Sequence, residues 1–291
     1  MVSHQAPASL AGVRGALQNA PVSRPAHVRA TRQRVPIRLP EGRIEALRIL
    51  PDETRAGLPP IVFLHDALGA VSLWRNLPER LCGELGREGL VFDRLGFGRS
   101  DARPAPPDQR YLEREATERL PEVLRQAEVA SPVLFGHSDG ASIALLFAAA
   151  FPEAPAAVVS IAAHVFIEDV TLAGIDRAAE AWSKTDLPVR LERHHGEKTE
   201  SVFRGWSETW RDPAFRHFSA VETIRSVRCP VLVIQGENDD YGTAAQVESI
   251  ARAVSGPVRS LILPALGHFP HREDPARILS ETERFLSDFE V

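Results

Sequence analysis

Acidic residues are absent from the first forty positions of this 291-residue chain, and the first of them is Glu41. The same stretch contains six arginines: Arg14, Arg24, Arg29, Arg32, Arg34 and Arg38. An Arg-rich segment without acidic residues is typical of organelle transit peptides, yet Pro7, Pro21 and Pro25 would interrupt an amphipathic helix. We therefore predict a disordered N-terminal tail over residues 1–33 and keep a targeting segment as the alternative.

Cysteine is scarce, with Cys82 and Cys229 far apart in the chain. Two isolated cysteines exclude a disulfide framework and predict buried, reduced thiols in a cytoplasmic protein. His, Cys and Asp never cluster at metal-ligand spacing, and neither a P-loop nor a dinucleotide-binding fingerprint occurs. The sequence therefore predicts no metal and no cofactor.

Long apolar runs are also missing, since the longest, residues 141–151, is too short to span a bilayer and ends at Pro152. The net charge of −5 gives no reason to expect nucleic acid or an anionic membrane as partner. A small molecule is the partner expected of such a chain. The oligomeric state is left open, a homodimer included.

Short apolar runs alternate with helical patterns along most of the chain. Strands are expected at residues 35–39, 43–50, 61–64, 90–92, 133–135, 157–161, 231–234 and 260–263. Runs buried on both faces, with amphipathic helices between them, predict an α/β fold with a doubly wound, mostly parallel sheet. We assign residues 34–163 and 222–291 to this core. Residues 164–221 are rich in aromatic residues but offer no buried strand, and they predict an inserted helical cap.

A Gly-x-Ser-x-Gly motif, centred on Ser138, lies between the strand ending near Phe135 and a small-residue helix. A serine on a sharp strand-to-helix turn is held in strained dihedrals with its hydroxyl exposed. The two flanking glycines let neighbouring backbone pass close by. Strand, motif and helix together predict a nucleophile.

Together with residues 63–69 and 92–100, this motif resembles the α/β-hydrolase family, and the resemblance covers about residues 34–291 except for the cap. The first segment is similar to the strand-end loop that carries the oxyanion hole, and the second to the turn D-x-x-G-x-G-x-S. The resemblance implies a triad in the order Ser138, Asp239, His268. Asp240 remains an alternative to Asp239, and His271 is interpreted as a surface residue at a helix start.

An oxyanion hole needs two backbone amides. The resemblance implies Asp139, the residue after the nucleophile, and a residue of the loop after His65, either Ala67 or Leu68. Asp66 and Asp139 would place two carboxylates nearby. They either satisfy backbone amides at a turn and a helix start or disfavour anionic substrates.

Acyl chemistry follows from this interpretation, because Ser138 replaces the aspartate nucleophile of related dehalogenases and epoxide hydrolases. We expect a serine hydrolase that acts on a small, neutral, apolar ester or lactone. A carbon–carbon bond hydrolase, an acyltransferase and a slow receptor-like fold are the alternatives. Expected pocket residues are Leu68, His164, Phe166, Trp206 and Trp210, although the two tryptophans could instead form the core of the cap. His194 and His195 are interpreted as polar cap residues.

Overall fold

The computed structural model describes residues 30–291, so most of the predicted tail lies outside the described residues. Its boundary at residue 33 is wrong, because β1 (Ala30–Leu39) begins at Ala30. This strand pairs antiparallel with β2 (Gly42–Pro51) along its whole length, from Ala30 opposite Pro51 to Leu39 opposite Gly42. The pairing supplies hydrogen-bond partners for the backbone of residues 30–33, which the local sequence pattern does not indicate.

Eight strands form one sheet within the described range. After β1 and β2, these are β3 (Ile61–Leu64), β4 (Gly89–Phe92), β5 (Val133–His137), β6 (Ala157–Ile161), β7 (Val231–Gly236) and β8 (Val258–Leu263). Their order is β1-β2-β4-β3-β5-β6-β7-β8. The strand β2 runs antiparallel to both of its neighbours, β1 and β4, and the six strands from β3 to β8 are mutually parallel. The predicted α/β class with a mostly parallel sheet is confirmed.

Helices cover both faces of the sheet, and a further group of three is inserted between β6 and β7 in the chain. They are α1 (Leu77–Leu85), α2 (residues 111–126, including the wider turn Glu115–Arg119), α3 (Asp139–Ala150), α4 (Asp169–Lys184), α5 (Leu187–His195), α6 (Thr199–Arg211), α7 (Ala244–Ala253), α8 (Pro270–Glu273) and α9 (Pro275–Asp288). Every residue of β3, β5, β6 and β7 is buried, which explains the apolar runs with which these strands begin. Two hydrophobic cores result, one on each face of the sheet.

The helices α4, α5 and α6 follow β6 and precede β7 in the chain, and they have a small hydrophobic core of their own. It contains Ala178, Ala181, Leu187, Leu191 and Phe203. The ring of Trp182 stacks on that of Phe203 with centroids 4.2 Å apart. Because the cap leaves the sheet after β6 and returns before β7, it lies over the carboxyl ends of the parallel strands. Ligands of open α/β sheets bind at this edge.

Candidate active site

Ser138 lies at a strained turn between β5 and α3. Its φ of 54° and ψ of −120° are unusual for a residue with a side chain. A hydrogen bond stabilises the turn, because the amide of Ser138 donates to the carbonyl oxygen of Ile161, 2.8 Å away. A Cβ at Gly136 would overlap the carbonyl oxygen of Gly140, and a Cβ at Gly140 would overlap that of Leu64. Both glycines are therefore needed for the close backbone packing that aims Ser138.

Three side chains from distant parts of the chain meet at this turn. The hydroxyl of Ser138 lies 3.1 Å from Nε2 of His268, and Nδ1 of His268 lies 2.8 Å from Oδ2 of Asp239. Asp239 also accepts hydrogen bonds from the side chain of Gln235 at 2.6 Å and from the amide of Tyr241 at 2.8 Å. The aspartate is thus fixed on several sides, and it orients the imidazole toward the serine.

The charges of this group are arranged for proton transfer. Burial alone would lower the pKa of His268, but the charge of Asp239 and its hydrogen bond raise that pKa above 6.5. Burial would likewise raise the pKa of Asp239, but the facing imidazole and the Tyr241 amide hold it below its usual value. His268 can therefore accept a proton while Asp239 stays ionised beside it.

Asp240, the alternative carboxylate, points elsewhere. Its Oδ2 lies 3.2 Å from Nη2 of Arg177 on α4, and about two fifths of its side chain is exposed. The register of the loop therefore brings Asp239, and not Asp240, to the histidine.

The hydrogen bonds of the loop after β3 distinguish between Ala67 and Leu68, the two alternatives for the second amide of the oxyanion hole. The amide of Leu68 donates to the carboxylate of Asp66 at 2.9 Å, and that of Gly69 donates to the Asp66 carbonyl at 3.1 Å. Within residues 30–291, neither the amide of Ala67 nor that of Asp139 has an acceptor in the protein. Leu68 is therefore excluded by its own hydrogen bond, and Ala67 and Asp139 remain available to a ligand.

The two carboxylates near these amides are differently occupied. Asp66 accepts the Leu68 amide, as a turn residue would, and lies 3.4 Å from Arg272. Asp139 departs from the expected helix-start pattern, because its Oδ2 accepts the hydroxyl of Tyr111 at 2.7 Å and lies 3.7 Å from Arg94. At Asp139, tertiary partners thus replace the local backbone amides that the sequence suggested, whereas Asp66 keeps its local partner.

A cavity of about 70 Å³ opens beside Ser138. It is lined by Asp66, Ala67, Leu68, Ser138, Asp139, His164, Thr171, Ile175, Trp206, Trp210, Tyr241, His268 and Phe269. Four of the five expected pocket residues are among them. Phe166 is not, because it forms a strand-like bridge with Ser219 and packs into the main core. The expectation for Phe166 was wrong, since the chain has already turned away from the cavity there.

Residues that the sequence analysis did not select also line the cavity. Thr171 and Ile175 lie on one face of α4, one turn apart, and Phe269 follows His268 directly. Tyr241 follows the triad carboxylate by two residues, and its ring centroid lies 4.7 Å from that of His268. Proximity in sequence to the triad was a usable signal for Tyr241 and Phe269. The α4 residues had none, because their orientation depends on how the cap docks.

The expectation for His271 was also wrong, because this residue is buried rather than at the surface. Its ring lies 4.4 Å from the ring of His137 and 5.1 Å from that of Trp74. His137 in turn donates from Nε2 to the backbone carbonyl of His268 at 2.7 Å. The short helix α8 folds back beneath the site, and the sequence pattern around residue 271 does not reveal this.

The histidine His195, which the sequence analysis interpreted as a polar cap residue, is buried and connects three segments of the chain. Its Nδ1 accepts the amide of Gly98 at 3.0 Å, and its Nε2 donates to the carbonyl of Leu68 at 3.1 Å. Both bonds need the neutral imidazole, and burial lowers the pKa of His195 to about 4. Burial likewise lowers the pKa of His164 to about 4, and its Nε2 donates to the carbonyl of Tyr241.

These histidines predict that the protein loses stability in mild acid. An unfolded histidine binds its proton near pH 6.5, whereas His195 and His164 stay neutral in the folded chain down to about pH 4. The free energy of unfolding should therefore fall as the pH drops from about 6.5 toward 4, by on the order of 2 kcal/mol for His195 alone. Urea unfolding at pH 7 and pH 4.5 measures this, and H195Q should show a smaller difference than the wild type. An equal difference in both proteins would contradict the role of His195.

Within residues 30–291 no group of three His, Cys, Asp or Glu side chains is arranged to hold a metal ion. No helix in that range is both long and apolar enough to cross a bilayer.

The profile of the alpha/beta hydrolase family matches residues 61–281, and the chain therefore belongs to this family. It is 29% identical over 236 residues to an uncharacterised protein of Mycobacterium tuberculosis, a match that covers 80% of this chain and 71% of that protein. It is 23% identical over 265 residues to the sn-1-specific diacylglycerol lipase ABHD11 of Mus musculus, with 80% and 82% covered. A crystal structure of a membrane phospholipase A, a bacterial virulence factor, superposes with a TM-score of 0.73 at 18% identity, covering 90% and 87%. The last likeness shows the fold alone.

Proposed function

We propose that this protein is a serine hydrolase that cleaves a small, neutral, apolar carboxylic ester or lactone. The observation that carries the proposal is the pair of hydrogen bonds joining Ser138 to His268 and His268 to Asp239, at 3.1 and 2.8 Å. Such a chain of contacts makes an alcohol nucleophilic at neutral pH. Membership of the hydrolase family supports the same conclusion.

The reaction proceeds through an acyl-enzyme. The Oγ of Ser138 attacks the substrate carbonyl carbon while its proton passes to Nε2 of His268. The carbonyl oxygen becomes an oxyanion and accepts hydrogen bonds from the backbone amides of Ala67 and Asp139. His268 then returns the proton to the leaving alcohol as the carbon–oxygen bond breaks. Water adds to the acyl group by the same steps and regenerates Ser138.

The cavity supports a small apolar acyl group. Leu68, Ile175, Trp206 and Trp210 contribute apolar surface to it. Its volume of about 70 Å³ is well below the roughly 300–1,000 Å³ of sites for drug-sized ligands. Ester chemistry is also consistent with the name of the mouse relative, a diacylglycerol lipase. Exclusion of anionic substrates by Asp66 and Asp139 stays a prediction, because an arginine lies beside each carboxylate.

A labelling experiment and a substrate panel together test the proposal. A fluorophosphonate should modify the wild type, and digestion with mass spectrometry should locate the adduct on Ser138. p-Nitrophenyl acetate and butyrate should be hydrolysed faster than the octanoate, and neutral esters faster than ones whose acyl group bears a carboxylate. An adduct elsewhere, or no turnover of any ester despite labelling, would contradict ester hydrolysis and favour the receptor-like alternative.

The size of the acyl group is expected to depend on Trp206. Replacing Trp206 by alanine removes part of the cavity wall. The ratio of kcat/KM for the octanoate to that for the acetate should therefore rise by about tenfold, which corresponds to a transition state for the octanoate that is better bound by roughly 1.4 kcal/mol. Trp182→Ala is the matched control, because Trp182 stacks on Phe203 within the cap core and does not line the cavity. Equal chain-length preference in the wild type and W206A would show that Trp206 does not limit the acyl site.

A further inference from the structure

Three donors converge on one carbonyl oxygen, that of Asp66. They are Nδ1 of His65 at 2.8 Å, Nη2 of Arg94 at 2.9 Å and the amide of Gly69 at 3.1 Å. This carbonyl belongs to the same peptide unit as the amide of Ala67. No peptide bond in the described chain is cis, so the N–H of Ala67 points away from the three donors. The direction of the Ala67 N–H is thus fixed from the opposite end of its own peptide.

Arg94 differs from the other two donors because it also reaches the second half of the oxyanion site. Its side chain is 1% exposed, and Nη2 lies 3.7 Å from Oδ2 of Asp139. The guanidinium rests on the ring of Phe97, 4.6 Å from the centroid. Within the described residues its Nε and Nη1 have no hydrogen-bond partner. A buried arginine with two unpartnered nitrogens is costly to fold, and a functional role would explain its presence.

We propose that Arg94 is a positioning residue for the oxyanion hole. It holds the Asp66–Ala67 peptide in the orientation that aims the Ala67 N–H at the substrate oxygen. A hydrogen bond to the carbonyl of a peptide also polarises its N–H, which strengthens the bond that this N–H donates. The positive charge beside Asp66 and Asp139 further favours negative charge on the substrate oxygen, and it does so most in the transition state. This inference rests on the proposed function.

The variant R94M tests the inference by separating kcat from KM. We expect kcat for p-nitrophenyl acetate to fall by about 10–100-fold, less than the 10²–10³-fold loss of an oxyanion donor itself, while KM changes by less than about threefold. A trifluoromethyl ketone whose adduct with Ser138 carries an oxyanion should bind more weakly by the same factor as kcat/KM falls. R94K, which keeps the charge but loses the planar fork, should recover part of the loss.

Arg103 provides the matched control. Its guanidinium lies 4.7 Å from the centroid of the same Phe97 ring, but it bonds to the carbonyl of Leu95 and to Glu115 and does not contact the Asp66 loop. R103M should therefore keep kcat within about twofold of the wild type. An unchanged kcat in R94M, or equal losses in R94M and R103M, would overturn the assignment.

Loss of Arg94 leaves the carboxylate of Asp139 short of a partner, and R94M could fail to fold for that reason. The double variant R94M/D139N removes both charges and should remain slower than D139N by the factor expected for R94M. Equal rates in the double variant and D139N would overturn the proposal. If neither Met variant folds, R94K decides, because an unchanged kcat there excludes a role for the fork. Full activity of S138A would instead refute the proposed function itself.

Discussion

Ser138→Ala and His268→Ala should each lower kcat for a p-nitrophenyl ester by about 10⁴–10⁶-fold, the largest effects expected for this protein. In the proposed mechanism Ser138 supplies the atom that bonds to the substrate and His268 carries its proton, so each substitution removes a step of the reaction. KM should change little, because neither side chain contributes much to ground-state binding. Stopped assays at high enzyme concentration, with the background hydrolysis subtracted, measure losses of this size.

Ser160→Ala is a suitable control for the serine variant. Ser160 lies on β6 opposite Gly136 of the neighbouring strand, fully buried, and its hydroxyl has no hydrogen-bond partner within the described residues. S160A should therefore keep both its activity and its fluorophosphonate labelling, whereas S138A should lose both. Retention of more than about one hundredth of the wild-type kcat in S138A, after the enzyme is shown to be free of contamination, would exclude Ser138 as the nucleophile.

Asp239→Asn should lower kcat by about 10⁴-fold, by analogy with the triad aspartate of serine proteases. In the proposed mechanism the aspartate holds the proton of His268 on Nδ1, so that Nε2 is free to accept the proton of Ser138. An asparagine can present its amide N–H to Nδ1 and stabilise the wrong tautomer. D240N is the matched control, since Asp240 forms a partly exposed ion pair with Arg177 of α4, and its kcat should stay within about twofold of the wild type.

The pH dependence of the same variants gives an independent test. Only the neutral form of His268 can accept the serine proton, and its pKa lies above 6.5 because Asp239 outweighs the effect of burial. The kcat/KM of the wild type should therefore fall on acidification with a midpoint above about pH 6.5. Removing the charge of Asp239 should move that midpoint to lower pH in D239N, and D240N should move it less in the same direction. An unmoved midpoint in D239N would contradict the coupling of the two side chains.

Much of the fold could be predicted from short sequence patterns, because each buried strand contains a short run of apolar residues. The strands β3, β5, β6 and β7 begin with the apolar runs 61–64, 133–135, 157–159 and 231–234, since both faces of a parallel sheet are covered by helices. The beginning of β1 contains no such apolar run. Residues Arg32, Gln33 and Arg34 are exposed and polar, and they form a strand because β2 pairs with them. Edge strands take their structure from their neighbour.

Site residues could be predicted where the chemistry needs a fixed local geometry. The elbow around Ser138 demands small neighbours, and Gly136 and Gly140 reveal it. Asp239 and His268 lie in the loops that follow β7 and β8, at positions that the family resemblance supplies. Arg94, Tyr111 and Thr171 were not selected, because their relation to the site depends on contacts across tens of residues, as in the hydrogen bond from Tyr111 to Asp139.

The sequence by itself determined the α/β class and the strained serine turn, because these depend on local periodicity and on steric limits of the backbone. The family resemblance added the candidates for the carboxylate and the histidine of the triad. The tertiary structure decided the rest: that Asp239 and not Asp240 contacts His268, that Ala67 and not Leu68 has a free amide, and that Phe166 lies outside the cavity while Thr171 lines it. These outcomes turn on single hydrogen bonds and on how the cap packs over the sheet. Such contacts join residues that are distant in the chain, and no local pattern encodes them.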